Sequence, residues 1–403
     1  MASRPLAALS RAQKDAALQG IANALRRRVD EIGVANSQDL DKARESELSA
    51  PMVSRLDMGP KQVDATAAGV EFIMGLQDPV GSRGPMQRLG NGLLVGQQRL
   101  PLGVIGMIYE SRPNVTVDAA ALCLKAGNSV VLRGGKEAAH TNALLGQIIG
   151  DALHADGLPR DAVQIVPPHD REGTKEMITL TGLIDLIIPR GGEGLIRYVS
   201  ENARIPVVAH YKGVCHLYLD TGCAHPMAVD LAVNSKAQKP GVCNALECLL
   251  VHEDEAAVLL PKLAEALQGA GVELRGCDKT CAVLPKVKAA TEDDWGEEFL
   301  AMVLAVKVVS DIDAAMAHIV EFGSNHTEVI CTESQSRAQR WLREVDASAV
   351  MVNASTRFND GGELGLGAEM GISTSKTHVY GPMGLLGLTS EKWVVLGDGQ
   401  VRN

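Results

Sequence analysis

The stretch QKPGVCNALE, residues 238–247, places Cys243 in a turn between a helical pattern and an apolar strand pattern. A thiol at such a turn can face a cleft, and nearby cations or backbone dipoles that lower its pKa make it a nucleophile. A single cysteine is more often structural than catalytic, so the spacing alone leaves Cys243 open between the two. Cys248, inside ALECLLV, alternates with apolar neighbours and reads as core. Two glycine turns offer a second kind of chemistry. In VVLRGGKEAAH, Arg133, Gly134, Gly135 and Lys136 follow a strand pattern, and in IIPRGGEGLIRYV the same place is taken by Arg190, Gly191, Gly192 and Glu193. Paired glycines at a helix start can present N–H groups to phosphate, and Arg133 with Lys136 can meet a ribose 2′-phosphate. Each turn is equally well a plain strand-to-helix connection with solvated cations. The GxGxxG fingerprint of ordinary dinucleotide sites is absent. Cys277 and Cys281 form one CxxxC with no second ligand pair, so no metal is expected.

These residues need a frame, and the periodicities supply an α/β one. Ser10 with Gln13 fits a capping box, after which Leu18, Ile21, Ala22, Leu25, Val29 and Ile32 share a helical face. The arginines of RRRVDE fall on the opposite, solvated face. MQRLGNGLLVGQQRL reads as a hairpin turned at Gly90–Asn91–Gly92. Strands are expected near 102–109, 129–133, 163–166, 183–188, 207–210 and 215–220, with helices near 115–126 and 140–155 between them. Repeated strand–helix–strand units imply doubly wound parallel sheet with right-handed crossovers. After Pro226 the pattern restarts, with a helix, the Cys243 loop and the strand ALECLLV, as a second α/β lobe running to about residue 352.

Composition narrows the classes. A chain of 403 residues has room for two or three domains. It is 46% hydrophobic and 22% charged, with 41 glycines and only 3% aromatic residues, which suits a soluble protein with many tight turns. The formal net charge of −10 invites neither nucleic acid nor an anionic membrane, so an anionic ligand must be held by local donors. No apolar run approaches the roughly 20 residues of a membrane helix, and MASRPLAALSRAQKDAALQG lacks the pattern of a secretory signal, so a cytoplasmic protein is expected.

Three segments carry a resemblance: PLGVIGMIYESRPNVTVDAAALCLKAGNSVVLRGGKEA, AMAHIVEFGSNHTEVI and VNASTRFNDGGELGLGAEMGISTSKTHVYGPMGLLGLTSEKWVV. With them the chain resembles, along essentially its whole length, the γ-glutamyl phosphate reductase (glutamate-5-semialdehyde dehydrogenase) family of the aldehyde dehydrogenase superfamily. The resemblance implies an aldehyde dehydrogenase-like α/β fold with three parts. These are an atypical Rossmann-type NADPH-binding domain (1–85 and 101–225), an α/β catalytic domain (226–384) and a small oligomerisation β element (86–100 and 385–403). It implies NADPH-dependent reduction of L-glutamyl 5-phosphate to L-glutamate 5-semialdehyde in proline biosynthesis, by way of a thioester on Cys243. Asn114 is then the side-chain donor to the oxyanion, although its place before VTVDAAALCLKA also suits an ordinary helix N-cap.

The carry-over further places Glu298 on the nicotinamide ribose, Arg133 near the adenosine ribose, with Lys136 beside it, and Gly191, Gly192 and Glu193 along the pyrophosphate. For the amino-acid end of the substrate the candidates are Arg112, Ser324, His326, Thr327, Ser355, Thr356 and Arg357, since arginine forks onto carboxylates and hydroxyls bond either end. His326 on its own also suits a structural histidine. Where hydrolytic relatives carry a glutamate base, PVVAHYKGVCH offers Ala209 and His210; loss of the glutamate fits a thioester that must not be hydrolysed, while a histidine can itself be a base. Exposed apolar strand edges imply a homo-oligomer, and the labile acyl phosphate leaves room for a transient glutamate 5-kinase partner. Two rival readings are an NAD-linked oxidative semialdehyde dehydrogenase and a non-catalytic binding protein that kept the fold.

Overall fold

Ser10 caps the helix Arg11–Arg27 as its spacing predicts: its Oγ accepts from Gln13 N–H at 3.3 Å while its own N–H donates to Gln13 Oε1 at 3.0 Å. Leu18, Ile21, Ala22 and Leu25 are buried from it, and the helix breaks at Arg28 before the next one, Val29–Glu45. The computed structural model describes residues 2–167, 172–209 and 211–402. The chain divides into two units, one of Met1–Ala209, Gly365–Gly371 and Met383–Asn403, the other of His210–Leu364 and Ile372–Pro382.

In the first unit a short strand β1 (Gln87–Arg88) turns back through residues 89–93 into β2 (Leu94–Pro101), antiparallel, as the Gly-Asn-Gly signal predicts. β3 (Val104–Tyr109), β4 (Ser129–Arg133), β5 (Val163–Ile165) and β6 (Leu186–Arg190) form a parallel sheet in the order β5-β4-β3-β6. The helices Pro113–Lys125 and Ala139–Ala155 are its crossovers and pack with the N-terminal helices. The strand expected at 207–210 is reduced, among the described residues, to a single bridge between Ile187 and Val207, and His210 lies outside the described residues.

The second unit holds β7 (Cys215–Leu219), β8 (Leu246–His252), β9 (Glu273–Gly276), β10 (Lys288–Ala289), β11 (Val303–Val309), β12 (Thr327–Cys331) and β13 (Ala349–Val352). They form one parallel sheet ordered β10-β9-β11-β8-β7-β12-β13. β8 sits near its middle with all seven residues buried, which is why ALECLLV reads as a continuous apolar run rather than an alternating one. The strand at Cys215, expected within the NADPH-binding part, pairs instead with β8 and β12. A local pattern identifies a strand but not the sheet it joins. β14 (Ile372–Ser373) and β15 (Gly381–Pro382) make a small antiparallel pair.

The last strand, β16 (Thr389–Leu396), belongs to the first unit and pairs antiparallel with β2 along eight residues. It is the edge of the three-stranded sheet β1-β2-β16, with Trp393, Val395 and Leu396 exposed. Among the described residues no helix is long and apolar enough to cross a membrane.

Candidate active site

Cys243 stands three residues before β8, on the turn that follows the helix His225–Ala237, and its side chain is half-buried. Its backbone is held from several sides. Cys215 Sγ donates to the Cys243 carbonyl at 3.1 Å, and Thr356 Oγ1 donates to the next carbonyl, that of Asn244, at 2.7 Å. Asn244 Nδ2 in turn donates to the carbonyls of Asn359 at 3.0 Å and Arg357 at 3.4 Å. The neighbouring segment at Gly213 comes so close that an added Cβ would overlap the Cys243 carbonyl oxygen and stand 2.8 Å from its carbon. Backbone cannot yield as a flexible side chain would. Gly213→Ala is therefore expected to displace the thiol and lower kcat by about 100-fold, the scale of an ångström's misplacement; wild-type turnover in steady-state assays of the folded variant would contradict this.

The other residues of this unit gather around the same edge. Ser324 Oγ accepts from Val214 N–H at 2.9 Å. His326 is fully buried, its Nδ1 lying 2.8 Å from Thr327 Oγ1 and 3.5 Å from Cys215 Sγ. Burial pushes the Cys215 thiol up, with the Glu328 carboxylate adding to the effect, so this second cysteine is a poor nucleophile beside the first. Ser355 Oγ lies 3.0 Å from Ser235 Oγ, and Thr356 N–H donates to Ser235 Oγ at 3.1 Å, so the Ser355 hydroxyl and the Thr356 N–H tie the loop to the helix that leads into the Cys243 turn. Arg357 is half-buried and donates to Gln238 Oε1 at 2.8 Å. Glu298, half-buried, lies on the segment leading into β11. Two residues before Cys243, a Cβ on Gly241 would meet the Leu300 carbonyl at 3.8 Å, which places that segment beside the turn. Thus Gly213, Cys243, Glu298–Leu300, Ser324 and His326 all precede their strands and lie at the amino-terminal edge of the parallel sheet.

The first unit presents the opposite edge. Arg133 ends β4, and Asn114, Lys136 and Gly191–Glu193 follow strands, at the carboxyl edge where open α/β sheets receive ligands. Asn114 is not the N-cap: that position is Arg112, half-buried and without a side-chain cap bond, and Pro113 opens the helix. Asn114 Nδ2 instead donates to Asp118 Oδ2 one turn on, at 3.0 Å. Burial raises the Asp118 carboxyl to about 6, with Asn114 and Arg190 acting against that rise. Lys136 is exposed and Arg133 half-buried at the end of β4. Between them a Cβ on Gly134 would overlap Asn142 Nδ2 and stand 3.2 Å from the Tyr109 hydroxyl, which is the reason for glycine there. Gly192 caps the helix Glu193–Asn202, but its N–H donates to Glu110 Oε2 at 3.1 Å, and Glu193 pairs with Arg197 at 2.8 Å.

Cys248 lies in the interior as expected, in a polar chain that sequence reading did not find. His216 pairs with Glu328 at 2.9 Å, Cys248 Sγ lies 3.5 Å from His318 Nε2, and Lys307 Nζ lies 3.1 Å from His318 Nδ1. The Glu328 carboxylate raises His216 to about 10 against the burial that opposes it, while burial and the neighbouring cations lower His318 to about 3. With Lys307 donating to Nδ1, neutral His318 carries its hydrogen on Nε2, toward the sulfur.

Comparison with known proteins decides the family. The model described as the aldehyde dehydrogenase family matches residues 1–293. A γ-glutamyl phosphate reductase from Sorangium cellulosum is 60% identical over 406 residues, covering 100% of this chain and 95% of its own. The chain belongs to the γ-glutamyl phosphate reductases. A reductase of that name from Desulfatibacillum aliphaticivorans is 57% identical over 402 residues, covering 100% of this chain and 96% of its own. The crystal structure of the γ-glutamyl phosphate reductase of Thermotoga maritima superposes with a TM-score of 0.98 at 44% identity, covering 100% of this chain and 97% of that one. An acetylating aldehyde dehydrogenase from Geobacillus thermoglucosidasius, 16% identical with a TM-score of 0.69 and coverage of 100% and 95%, shares the fold. Gly213, Cys215, Asn244 and Asn359, which hold the turn at Cys243, are the supports that sequence reading missed. The only local signal was a glycine just before a strand, which marks close backbone approach.

Proposed function

We propose that this chain converts L-glutamyl 5-phosphate to L-glutamate 5-semialdehyde with NADPH and release of phosphate, the reductive step of proline synthesis from glutamate. The observation that carries the reading is identity along the whole chain with reductases of that name, in a fold that holds Cys243 on a half-buried turn.

The Cys243 thiolate attacks the acyl carbon and forms a C–S bond, and the carbonyl π electrons move to oxygen. That oxyanion takes hydrogen bonds from Asn114 Nδ2 and from the Cys243 N–H. Its collapse breaks the C–O bond to phosphate, which leaves, and a thioester remains. When bound, NADPH would supply the hydride for reduction of the thioester. The C–S bond of the resulting thiohemiacetal then breaks, returning the thiolate and releasing the aldehyde. Ala209 offers no carboxylate to activate water, which is consistent with phosphate rather than water meeting the thioester.

Arg133, half-buried at the end of β4, and Lys136, exposed three residues on, fit the ribose phosphate of NADPH. A pyrophosphate at Gly191–Glu193 has to displace the Glu110 carboxylate from the Gly192 N–H. Glu298 takes the nicotinamide ribose. Arg112 and Arg357 are the cations proposed for the glutamyl carboxylate, with Ser324, His326 and Thr327 as positioning groups, and Ser355 and Thr356 acting through the loop they tie down. The exposed edge strand β16, with Trp393 and Val395, supports a homo-oligomer. Eight free thiols suit a reducing compartment such as the cytoplasm. A glutamate 5-kinase is the transient partner that would hand over the labile acyl phosphate. The test supplies glutamyl phosphate in situ from glutamate, ATP and such a kinase. NADPH oxidation is expected only when all components are present, and oxidation without the kinase would sink the reading.

A further inference from the structure

Lys236 and Glu247 are both buried, 0% and 1% exposed, and meet at 2.5 Å. They flank the nucleophile: Lys236 is the last residue but one of the helix before the Cys243 turn, and Glu247 is the second residue of β8 after it. Burial lowers the lysine and pushes the Glu247 carboxyl up to about 7, with Glu298 adding to the rise. The two groups therefore gain less from each other than they lose by leaving water. A buried ion pair is weak evidence for stability, because apolar replacements are often as stable.

What an apolar pair cannot provide is an acceptor. Glu247 gives Oε2 to Lys236 and turns Oε1 outward to accept the N–H of Leu300 at 3.2 Å. Leu300 is 47% exposed and holds a φ of +51°, a left-handed conformation that a side chain of this kind rarely adopts. Such a conformation persists only where its surroundings fix it, and it clusters at ligand clamps. Lys236 Nζ also lies 5.9 Å from the centre of the Phe299 ring, which Arg275 approaches to 5.2 Å from β9. The residue next in line is Glu298. Hence one buried pair reaches both sides of the Cys243 turn and the strap Glu298–Phe299–Leu300.

We infer that Lys236 and Glu247 are positioning residues that hold this strap, and through it Glu298, in the geometry that grips the nicotinamide half of the dinucleotide. The inference rests on the reading of Glu298 given above.

Dissociation constants separate the two. They are measured by calorimetry for NADPH and for adenosine 2′,5′-bisphosphate, which lacks the nicotinamide riboside. Glu247→Gln and Glu298→Gln are each expected to weaken NADPH by about tenfold, the scale of one hydrogen bond to a charged group. The bisphosphate should bind both variants as it binds wild type, whereas general loosening of the fold would weaken both ligands. The double variant should be no weaker than Glu298→Gln alone. If Glu298→Gln weakens NADPH but Glu247→Gln does not, the positioning role is wrong while the Glu298 reading stands. If Glu298→Gln itself leaves NADPH unchanged, that reading fails and the inference falls with it. Should Glu247→Gln not fold, the apolar pair Lys236→Met with Glu247→Met removes the acceptor without leaving a buried charge. It is expected to show the same selective loss, and wild-type NADPH binding by it would overturn the inference.

Discussion

Cys243→Ala is expected to lower kcat by about 10⁴-fold or more, since removing the nucleophile of a covalent mechanism leaves only what binding and oxyanion stabilisation supply. The fold should survive, because the turn is held by its backbone: the Cys215, Thr356 and Gly213 contacts all fall on main-chain atoms of residues 243–244. The melting temperature should stay near that of wild type, and a mass-spectrometric search for the acyl-enzyme should find it in the wild type only. A Cys243→Ala variant that turns over at the wild-type rate would move the nucleophile elsewhere. Cys215 is no ready substitute, being buried and raised in pKa.

Asn114→Ala should cost about 100- to 1,000-fold in kcat with little change in substrate KM, as expected for a donor whose bond strengthens only when the oxyanion forms. The contact with Asp118 adds a pH signature. Above about 6 the carboxylate accepts one Nδ2 hydrogen and so fixes the direction of the other. As the pH falls through that value the carboxyl is protonated and its hold on the amide weakens, so kcat should decline on the acid side. Asp118→Asn should flatten this limb. A kcat profile of Asp118→Asn identical with that of wild type below pH 7 would show that Asp118 does not orient the amide.

Much of this was legible in the sequence, and the parts that were not share a cause. The Ser10–Gln13 box, the hairpin at residues 90–92 and the apolar run of β8 depend on neighbours a few positions apart, and the structure contains all three. Cys243 stood out because the resemblance gave one turn a role that spacing alone left undecided. Gly213 is 30 positions from the residue it approaches, and nothing in the local pattern joins them. The same holds for β7, which was recognised as a strand but assigned to the wrong part of the chain, because sheet order is set by packing across distant segments. The cap alternative for Asn114 is the instructive case. Asp118 lies four residues on, within helical reach, yet the position before an apolar helix suggested a cap; Pro113 at the first helical position moves the cap back to Arg112.

In this account inorganic phosphate, not water, is the acyl partner of the Cys243 thioester. The reverse reaction tests it most directly: glutamate semialdehyde and NADP⁺ with the wild-type enzyme, with and without inorganic phosphate, followed by NADPH absorbance. The account predicts NADPH formation that depends strictly on phosphate. NADPH formed at a comparable rate without phosphate would mean that water resolves the thioester, and would contradict it.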